Sequence, residues 1–419
     1  MKKSLAMFIV IFMLGMIIPQ NVYASGQTTP SGIAYDDIGT EIDAYVEEYK
    51  AGLASVGTCV FDETGIIYEG YYGYSDMEAG ILADEETVYE WGSTSKLLVW
   101  VSVMQLKEQG KLDLETDIRE YLPDGFLTKL QYEDETITML NLMNHDAGFQ
   151  ESMYENQLAT EDELYDSLEE AVKACECYQA YHVGEHTAYS NWGTALAAFI
   201  VERVSGMSYV DYVNENIFKP LDMEHTSIGM HREDNDWVRG QREMLKCYGR
   251  YAQEEYNEDY GVCHSWVQLY PAGAAIGTTS DLAKFAQGFV ASDCPFFQNS
   301  DTREEMLTAT SFYGDSDIAE NCHGLWAEQF KIPTLGHSGN TGGCTANLQF
   351  DPESGLGIVV ITNEPGETMF STGFVSLLFG DVRDSELVKN NPIQEHYDIS
   401  GTYVPGRTIV SGYGSALQY

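Results

Sequence analysis

Two strand–turn–strand patterns, one near each end of the chain, constrain the fold more than any other feature. Each consists of two apolar runs separated by turn-forming residues, which is typical of a β-hairpin. The runs and their turns are 57–62 and 66–73 around Asp62-Glu63-Thr64-Gly65, and 346–351 and 356–363 around Pro352-Glu353-Ser354-Gly355. Helices are predicted over 36–52 and 368–380. Terminal segments that pair into one antiparallel sheet with helices alongside indicate an α+β fold.

The residues between the hairpins are predicted to be mostly helical. A helix is expected over 93–109, and the segment 134–206 is expected to be a largely helical insert. Within it, Asn191 to Ser205 has apolar residues at helical spacing and is followed by Gly206. The sequence thus predicts an antiparallel β-sheet flanked by helices, with a helical insert.

The domain is expected to cover residues 25–385, because no internal repeat or low-complexity linker divides it. The pattern changes after about 385, where prolines and glycines accumulate and periodicity is weak. Residues 386–419 are therefore interpreted as a C-terminal tail or the start of a further segment.

The first 24 residues resemble a secretory signal peptide. Lys2 and Lys3 form a basic start, the stretch from Leu5 to Ile18 is almost entirely apolar, and Val22-Tyr23-Ala24 provides a cleavage site. Cleavage after Ala24 predicts a secreted or extracytoplasmic protein, whereas an uncleaved membrane anchor is the alternative. No later apolar run reaches about 18 residues, so we expect no membrane span in the mature chain, and we expect it to be soluble.

Charge and cysteine content exclude several functional classes. The formal net charge of −44 repels polyanions, so no nucleic acid partner is expected. The eight cysteines are too few for a disulfide-dense scaffold of this length and lack zinc-site spacing with histidines. We expect mostly free or buried thiols, with one or two disulfide bridges left open, and no metal or cofactor.

Ser93 and Lys96 are the first candidates for chemistry. Residues three apart on a helix share a face, so the lysine amine is expected beside the serine hydroxyl. A serine becomes a strong nucleophile when a neighbouring base takes its proton. The helix N-terminus adds backbone N–H groups suited to a developing oxyanion. The alternative is a helix-capping serine followed by a surface lysine.

Two further stretches strengthen the catalytic interpretation. Tyr189-Ser190-Asn191 precedes the helix that ends before Gly206, and Pro220-Leu221-Asp222-Met223 follows. The triplet alone is not specific, because Tyr154-Glu155-Asn156 and Tyr212-Val213-Asn214 have the same form. Near the second hairpin, His337-Ser338-Gly339 leads into a glycine-rich turn, where a strand edge can supply a second backbone donor.

Together these stretches resemble the serine β-lactamases and penicillin-recognising enzymes, and most of all the class C β-lactamase and DD-peptidase branch. The resemblance covers about residues 50–365 and implies a β-lactamase/transpeptidase-like fold. Five blocks occur in the family's order: Gly92-Ser-Thr-Ser-Lys96, Leu142-Met-Asn-His-Asp-Ala-Gly148, the Tyr189 triplet, Ala272-Gly-Ala-Ala-Ile-Gly-Thr-Thr-Ser-Asp281 and His337-Ser-Gly339.

The resemblance implies a role for each matching residue. Ser93 matches the nucleophile that is acylated, and Lys96 matches the lysine that helps to deprotonate it. Tyr189 matches a general base that relays a proton to the leaving group, and Asn191 an asparagine that binds the substrate amide and orients the lysine. The implied oxyanion donors are the backbone N–H groups of Ser93 and Asn340.

The third motif departs from the Lys-Thr-Gly of many β-lactamases, because His337-Ser338-Gly339 stands in its place. With an ordinary pKa of about 6.5, His337 is expected to lose its charge near neutral pH. This substitution predicts weaker activity on substrates with a carboxylate above pH ~7.

The expected function is an exported serine hydrolase that forms an acyl-enzyme on an amide or ester. A D-amino-acid-containing peptide or a β-lactam is the leading substrate class. An esterase of the same fold is one alternative, and a noncatalytic surface receptor for peptides or cell-wall ligands is another. His145 is expected to be structural, whereas Tyr89 and Trp91 are expected either to line the pocket or to pack in the core.

Overall fold

A computed structural model describes residues 27–150, 158–250, 256–314 and 316–390 of the chain. The predicted signal peptide, the Tyr154-Glu155-Asn156 triplet and residues 391–419 lie outside these residues. Within this part of the chain, sixteen strands and eleven α-helices occur. The strands are β1 Ser55–Asp62, β2 Gly65–Asp76, β3 Ile81–Leu82, β4 Tyr89–Glu90, β5 Leu158–Ala159, β6 Thr226–Ser227, β7 Cys247–Arg250, β8 Tyr256–Gly261, β9 Trp266–Val267, β10 Ile276–Gly277, β11 Ser311–Phe312, β12 Ala319–Cys322, β13 Leu325–Gln329, β14 Pro333–Asn340, β15 Thr345–Phe350 and β16 Gly357–Thr362. The helices are α1 Ile38–Tyr49, α2 Lys96–Glu108, α3 Met139–Met143, α4 Leu168–Ala174, α5 Asn191–Ser205, α6 Tyr209–Val213, α7 Asp236–Arg242, α8 Thr279–Gln287, α9 Ser300–Met306, α10 Gly373–Phe379 and α11 Glu386–Asn390.

The two predicted hairpins meet at the centre of one nine-stranded antiparallel sheet. Its order across the described strands is β11-β12-β13-β14-β15-β16-β1-β2-β3. The two hairpins are joined where β16 pairs with β1, in a register that places Val56 opposite Thr362 and Phe61 opposite Gly357. The predicted α+β fold is confirmed.

The central strand β16 is buried on both faces, which explains its apolar run from Ile358 to Ile361. Side chains alternate across a strand, so neighbouring residues of β16 enter different cores. Ile358 and Val360 pack with α1 and α10, whereas Val359 and Ile361 pack in the larger core that contains α2 and α5. Burying each such side chain stabilises the fold by roughly 1.5–3 kcal/mol.

The middle of the chain is less helical than predicted. Over 134–206 the described helices are α3, α4 and α5, and strand β5 and a 3₁₀ turn, Glu161–Glu163, lie between α3 and α4. The prediction of a largely helical insert was therefore too broad, because buried loop residues between α3 and α5 produce the same apolar spacing. The predicted helices over 36–52 and 368–380 are shorter, as α1 and α10. In the described ranges, no helix is both long and apolar enough to cross a bilayer.

All eight cysteines lie in the described residues, and none of them is joined in a disulfide bridge there. Six of them are buried, and Cys263 and Cys294 are partly buried. This agrees with the expectation of mostly free or buried thiols.

Candidate active site

The sequence Gly92–Ser95 forms a 3₁₀ turn that leads directly into α2. Two of its three hydroxyls are used by the backbone. Thr94 Oγ1 donates to Trp91 O at 2.7 Å, and Ser95 Oγ donates to Gly92 O at 2.6 Å and accepts from Ala275 N at 3.1 Å. Ser93 alone of the three is partly exposed, and it lines a cavity. The turn therefore presents Ser93 for chemistry.

Two glycines allow β14 to lie against this turn. Gly92 has a φ of +53°, which favours glycine, and a Cβ there would be 2.7 Å from Asn340 N. A Cβ on Gly339 would be 2.1 Å from Trp91 O, a backbone atom held by its own contacts. Larger residues at either position would separate the strand from the turn. The glycines thus set the width of the site.

Lys96 is fully buried, and its amine is directed at the nucleophile. Nζ donates to Ser93 Oγ at 3.0 Å and to Ala272 O at 2.5 Å. The same nitrogen lies 4.8 Å from the centroid of the Tyr189 ring. The capping alternative required a surface lysine and is wrong, because Lys96 has no exposure to solvent.

Tyr189 is positioned by His145. The backbone N–H of Ala188 donates to His145 O at 2.7 Å, and that of Ser190 donates to His145 Nδ1 at 3.2 Å. The rings of His145 and Tyr189 lie 4.5 Å apart, and His145 stacks on Trp326 at 5.7 Å. The buried imidazole therefore fixes the segment before α5, as its expected structural role requires.

Asn191 begins α5 and lines the same cavity as Ser93 and Tyr189. Ser190 caps the helix, because its hydroxyl accepts from the N–H of Gly193 at 3.0 Å. Capping explains why the residue between Tyr189 and Asn191 is itself a serine. By capping α5, Ser190 orients the helix so that Tyr189 and Asn191 face the cavity.

The open edge of β14 supplies the second predicted oxyanion donor. Just beyond the strand, the N–H of Thr341 donates to Cys344 O at 2.9 Å, across to the chain that forms β15. Consecutive N–H groups along a strand point to opposite edges, so the N–H of Asn340 points towards the turn. A Cβ on Gly339 would be 2.9 Å from Ser93 N. The two N–H groups predicted as oxyanion donors therefore lie where strand and turn meet.

His337 is buried, with 3% of its surface exposed. Nδ1–H donates to Ser338 O at 2.5 Å, which leaves Nε2 as an acceptor. Burial, together with the positive charge of Lys96, lowers the pKa of His337 to about 3. The prediction that His337 loses its charge near pH 7 was wrong, because the imidazole is already neutral there. The surroundings contributed by other segments, not the residue type, set its charge.

NMR titration of the histidine side chains tests this assignment. We expect the His337 imidazole to stay neutral from pH 8 down to about pH 5, because its pKa lies near 3. The exposed His186 is the matched control, and the His337→Gln variant assigns the signal. A His337 titration midpoint between pH 6 and 7 would contradict the expectation.

The cavity has a volume of about 540 Å³ and brings together the predicted residues with others that the sequence did not indicate. Its lining residues are Ser93, Tyr189, Asn191, Ser265, Val267, Ala272, Gly273, Trp326, His337, Ser338, Asn340, Thr341 and Gly342. Gly339 contributes through its close backbone approach. Single residues such as Trp326 and Ser265 carry no local pattern, so only the fold reveals them.

A buried charge cluster supports one wall of the cavity. Glu90 Oε1 lies 3.0 Å from Arg232 and 3.3 Å from Arg242, and it accepts from Ser265 N at 2.9 Å. Ser265 Oγ in turn accepts from Gly342 N at 2.8 Å. Burial raises the pKa of Glu90, but Arg242 and Arg232 outweigh it and lower that pKa to about 2. The cluster therefore fixes two lining residues from behind.

Replacing Glu90 by Gln is expected to destabilise the fold by about 3–5 kcal/mol, because two buried guanidinium groups lose their carboxylate. Urea denaturation at pH 7 measures this. In Glu47→Gln, which removes an exposed partner of Lys50, the expected loss is below about 1 kcal/mol. Equal stabilities for the two variants would contradict the role of the cluster.

The Glu90 carboxylate also predicts acid sensitivity. Its pKa falls from 4.5 to about 2 on folding, so its contribution is present above pH 4.5 and is lost as the pH falls towards 2. In Glu90→Gln this part of the pH dependence should be absent. Denaturation curves of both proteins at pH 5 and pH 3 test the difference, and parallel losses of stability would contradict it.

A family model described as Beta-lactamase matches residues 42–373, which is most of the chain. The chain belongs to the beta-lactamase family. The match confirms the resemblance found in the five sequence blocks, and it includes Ser93, Lys96, Tyr189 and the whole of β14. It leaves the individual roles of these residues as predictions.

Three known proteins illustrate what this chain is similar to. Protein flp of Staphylococcus aureus (strain MRSA252) is 22% identical over 331 residues, which are 78% of this chain and 63% of flp. The chain thus spans less than two thirds of that relative. The octameric penicillin-binding protein homologue from Pyrococcus abyssi has a TM-score of 0.65 at 20% identity, covering 84% of this chain and 78% of that one. The D-amino acid amidase from Ochrobactrum anthropi has a TM-score of 0.63 at 21% identity, covering 84% and 99%.

Proposed function

We propose that this protein is an exported serine hydrolase that forms an acyl-enzyme on Ser93 and acts on esters or amides, including those of D-amino acids. The observation that carries the proposal is the 3.0 Å contact between Lys96 Nζ and Ser93 Oγ at the floor of an open cavity. A structural lysine has no need to be buried against a partly exposed hydroxyl.

In the first step, Ser93 Oγ attacks the substrate carbonyl carbon and loses its proton to the base formed by Lys96 and Tyr189. Lys96 Nζ contacts the hydroxyl and lies 4.8 Å from the centroid of the Tyr189 ring, and the proton is taken up by whichever member of this pair is unprotonated when the substrate binds. The carbonyl oxygen gains the negative charge and is stabilised by the N–H groups of Ser93 and Asn340. Asn191, on the cavity wall, is placed to bind the substrate amide.

Collapse of the intermediate breaks the bond to the leaving group, which takes the proton back from Tyr189 or Lys96. The product of this half-reaction is an ester between Ser93 and the acyl group. Water then attacks the ester carbonyl carbon while the same base accepts its proton. The bond between that carbon and Ser93 Oγ breaks, Oγ takes the proton from the base, and the acid product leaves. Each half-reaction returns the base to its starting state.

The relatives support the substrate class. A similar structure is a D-amino acid amidase complexed with L-phenylalanine amide, and the matched family is that of beta-lactamases. The amidase supports an amide of an amino acid as the substrate, and export would place the enzyme where wall peptides occur.

Export predicts cleavage of the signal peptide after Ala24. Sequencing of the N-terminus of the mature protein should therefore find Ser25.

Turnover of three substrates tests the proposal. We expect hydrolysis of a p-nitrophenyl ester and of an N-acyl-D-alanine amide, with slower turnover of a chromogenic cephalosporin. Binding of a D-alanyl peptide without turnover of any of the three would contradict the proposal and favour the noncatalytic receptor. Ester hydrolysis without amide hydrolysis would favour the esterase.

A further inference from the structure

The described side chains that line the cavity are uncharged, although charged side chains lie beneath and behind them. None of the described side chains that line the cavity is Lys, Arg, Asp or Glu, and its one histidine is neutral at physiological pH. Recognition of a carboxylate normally uses a cationic side chain or several N–H donors. The position where many β-lactamases have a lysine is occupied by His337 here.

The described cations beneath and behind the cavity are already engaged. Lys96 donates to Ser93 Oγ and Ala272 O at the base of the cavity. Arg232 and Arg242 lie behind the Ser265 wall, are 2% and 0% exposed, and both contact Glu90. These guanidinium groups are therefore committed to the fold and cannot reach a ligand in the cavity.

The internal stretches outside the described residues cannot restore a cation, because their sequences contain none. Residues 151–157, 251–255 and 315 have no Lys, Arg or His. Their charged residues are all acidic: Glu151, Glu155, Glu254, Glu255 and Asp315. The formal net charge of −44 disfavours an anionic ligand.

His337 offers the opposite of a carboxylate site. Its Nδ1–H is used by Ser338 O, and its buried Nε2 has no hydrogen-bond partner among the described residues. A neutral imidazole nitrogen accepts a hydrogen bond from an N–H or O–H group and repels a carboxylate oxygen. A buried acceptor without a partner is costly, so a donor on the substrate would be favoured.

We infer that the site prefers substrates whose leaving residue ends in an uncharged group with an N–H or O–H donor, such as a primary amide, over the same substrates whose leaving residue ends in a free carboxylate. The inference rests on the proposed function and specifies its substrate class. It predicts that a peptide amide is preferred over the peptide acid.

A matched pair of substrates tests it: N-acetyl-D-alanyl-D-alanine and N-acetyl-D-alanyl-D-alaninamide, at pH 7. The rate is measured for the bond between the two alanines, as release of D-alaninamide or D-alanine. We expect kcat/KM for this cleavage to be at least about tenfold higher for the amide than for the acid, which corresponds to about 1.4 kcal/mol. His337→Lys adds a cation at the cavity and should shift the ratio towards the acid at least about tenfold. His225→Lys, an exposed position that does not line the cavity, is the matched control and should leave the ratio unchanged.

Labelling with a fluorophosphonate separates this inference from the proposed function. If the probe labels the protein but the acid is used as well as the amide, the inference is overturned and the proposed function stands. If the probe does not label and no ester or amide is hydrolysed, both are overturned. If labelling occurs without peptide turnover, the measured quantity is how much each peptide slows labelling by the probe. Stronger protection by the amide than by the acid supports the inference, and equal protection overturns it.

Discussion

Replacement of Ser93 by Ala is expected to lower kcat for p-nitrophenyl ester hydrolysis by at least about 10⁴-fold, since the oxygen that forms the acyl-enzyme is removed. The fold should be unaffected, because Ser93 is partly exposed and the hydroxyls that hold the turn belong to Thr94 and Ser95. Thermal unfolding of the variant should therefore match that of the wild type while its activity is lost.

The matched control is Ser102→Ala, on helix α2, which follows the turn that holds Ser93. Its hydroxyl is buried and donates to Leu98 O at 2.7 Å, away from the cavity. We expect this variant to lose a little stability and to keep kcat within about twofold, because one net hydrogen bond contributes only about 1 kcal/mol. A Ser93→Ala enzyme with more than a tenth of wild-type activity would exclude Ser93 as the nucleophile.

Replacement of Lys96 by Met is the second large effect. Methionine fills a similar buried volume but cannot exchange a proton with Ser93, so we expect kcat to fall by about 10²–10⁴-fold. The loss should appear in the acylation step, measured as the rate of the first product burst. KM for an uncharged ester should change little, because Lys96 contacts Ser93 and Ala272 in the floor.

Lys107→Met is the matched control for this variant. Lys107 lies at the other end of α2, is partly exposed and pairs with Glu305. We expect its acylation rate to equal that of the wild type. If Lys96→Met and Lys107→Met acylated at the same rate, Tyr189 would have to act as the base without the lysine.

The sequence was sufficient for the parts of the fold that depend on local pattern. The hairpin turn at Asp62–Gly65 and the apolar run Ile358–Ile361 have local causes, and both were predicted. The spacing of Ser93 and Lys96 also predicted their contact, because three residues within one helical turn fix the geometry whatever surrounds them. These predictions needed no knowledge of distant segments.

The predictions that failed depended on distant segments. The charge of His337 is set by burial and by Lys96, which lies 241 positions away in the chain, so its ordinary pKa was misleading. The Glu90 cluster joins β4 to α7 and to the residues before β9, and no local pattern connects them. The glycine-rich turn predicted after His337-Ser338-Gly339 is present, closed by the bond from Thr341 N to Cys344 O, whereas the close approach of Gly339 to Trp91 was not predicted.

Peptide mapping of a trapped adduct tests the central claim most directly. The wild-type protein is incubated with a fluorophosphonate, digested, and the modified residue is identified by mass spectrometry. A single adduct on Ser93, absent from Ser93→Ala and formed much more slowly in Lys96→Met, is the predicted result. An adduct on another residue, or ester hydrolysis that persists without any adduct on Ser93, would contradict it.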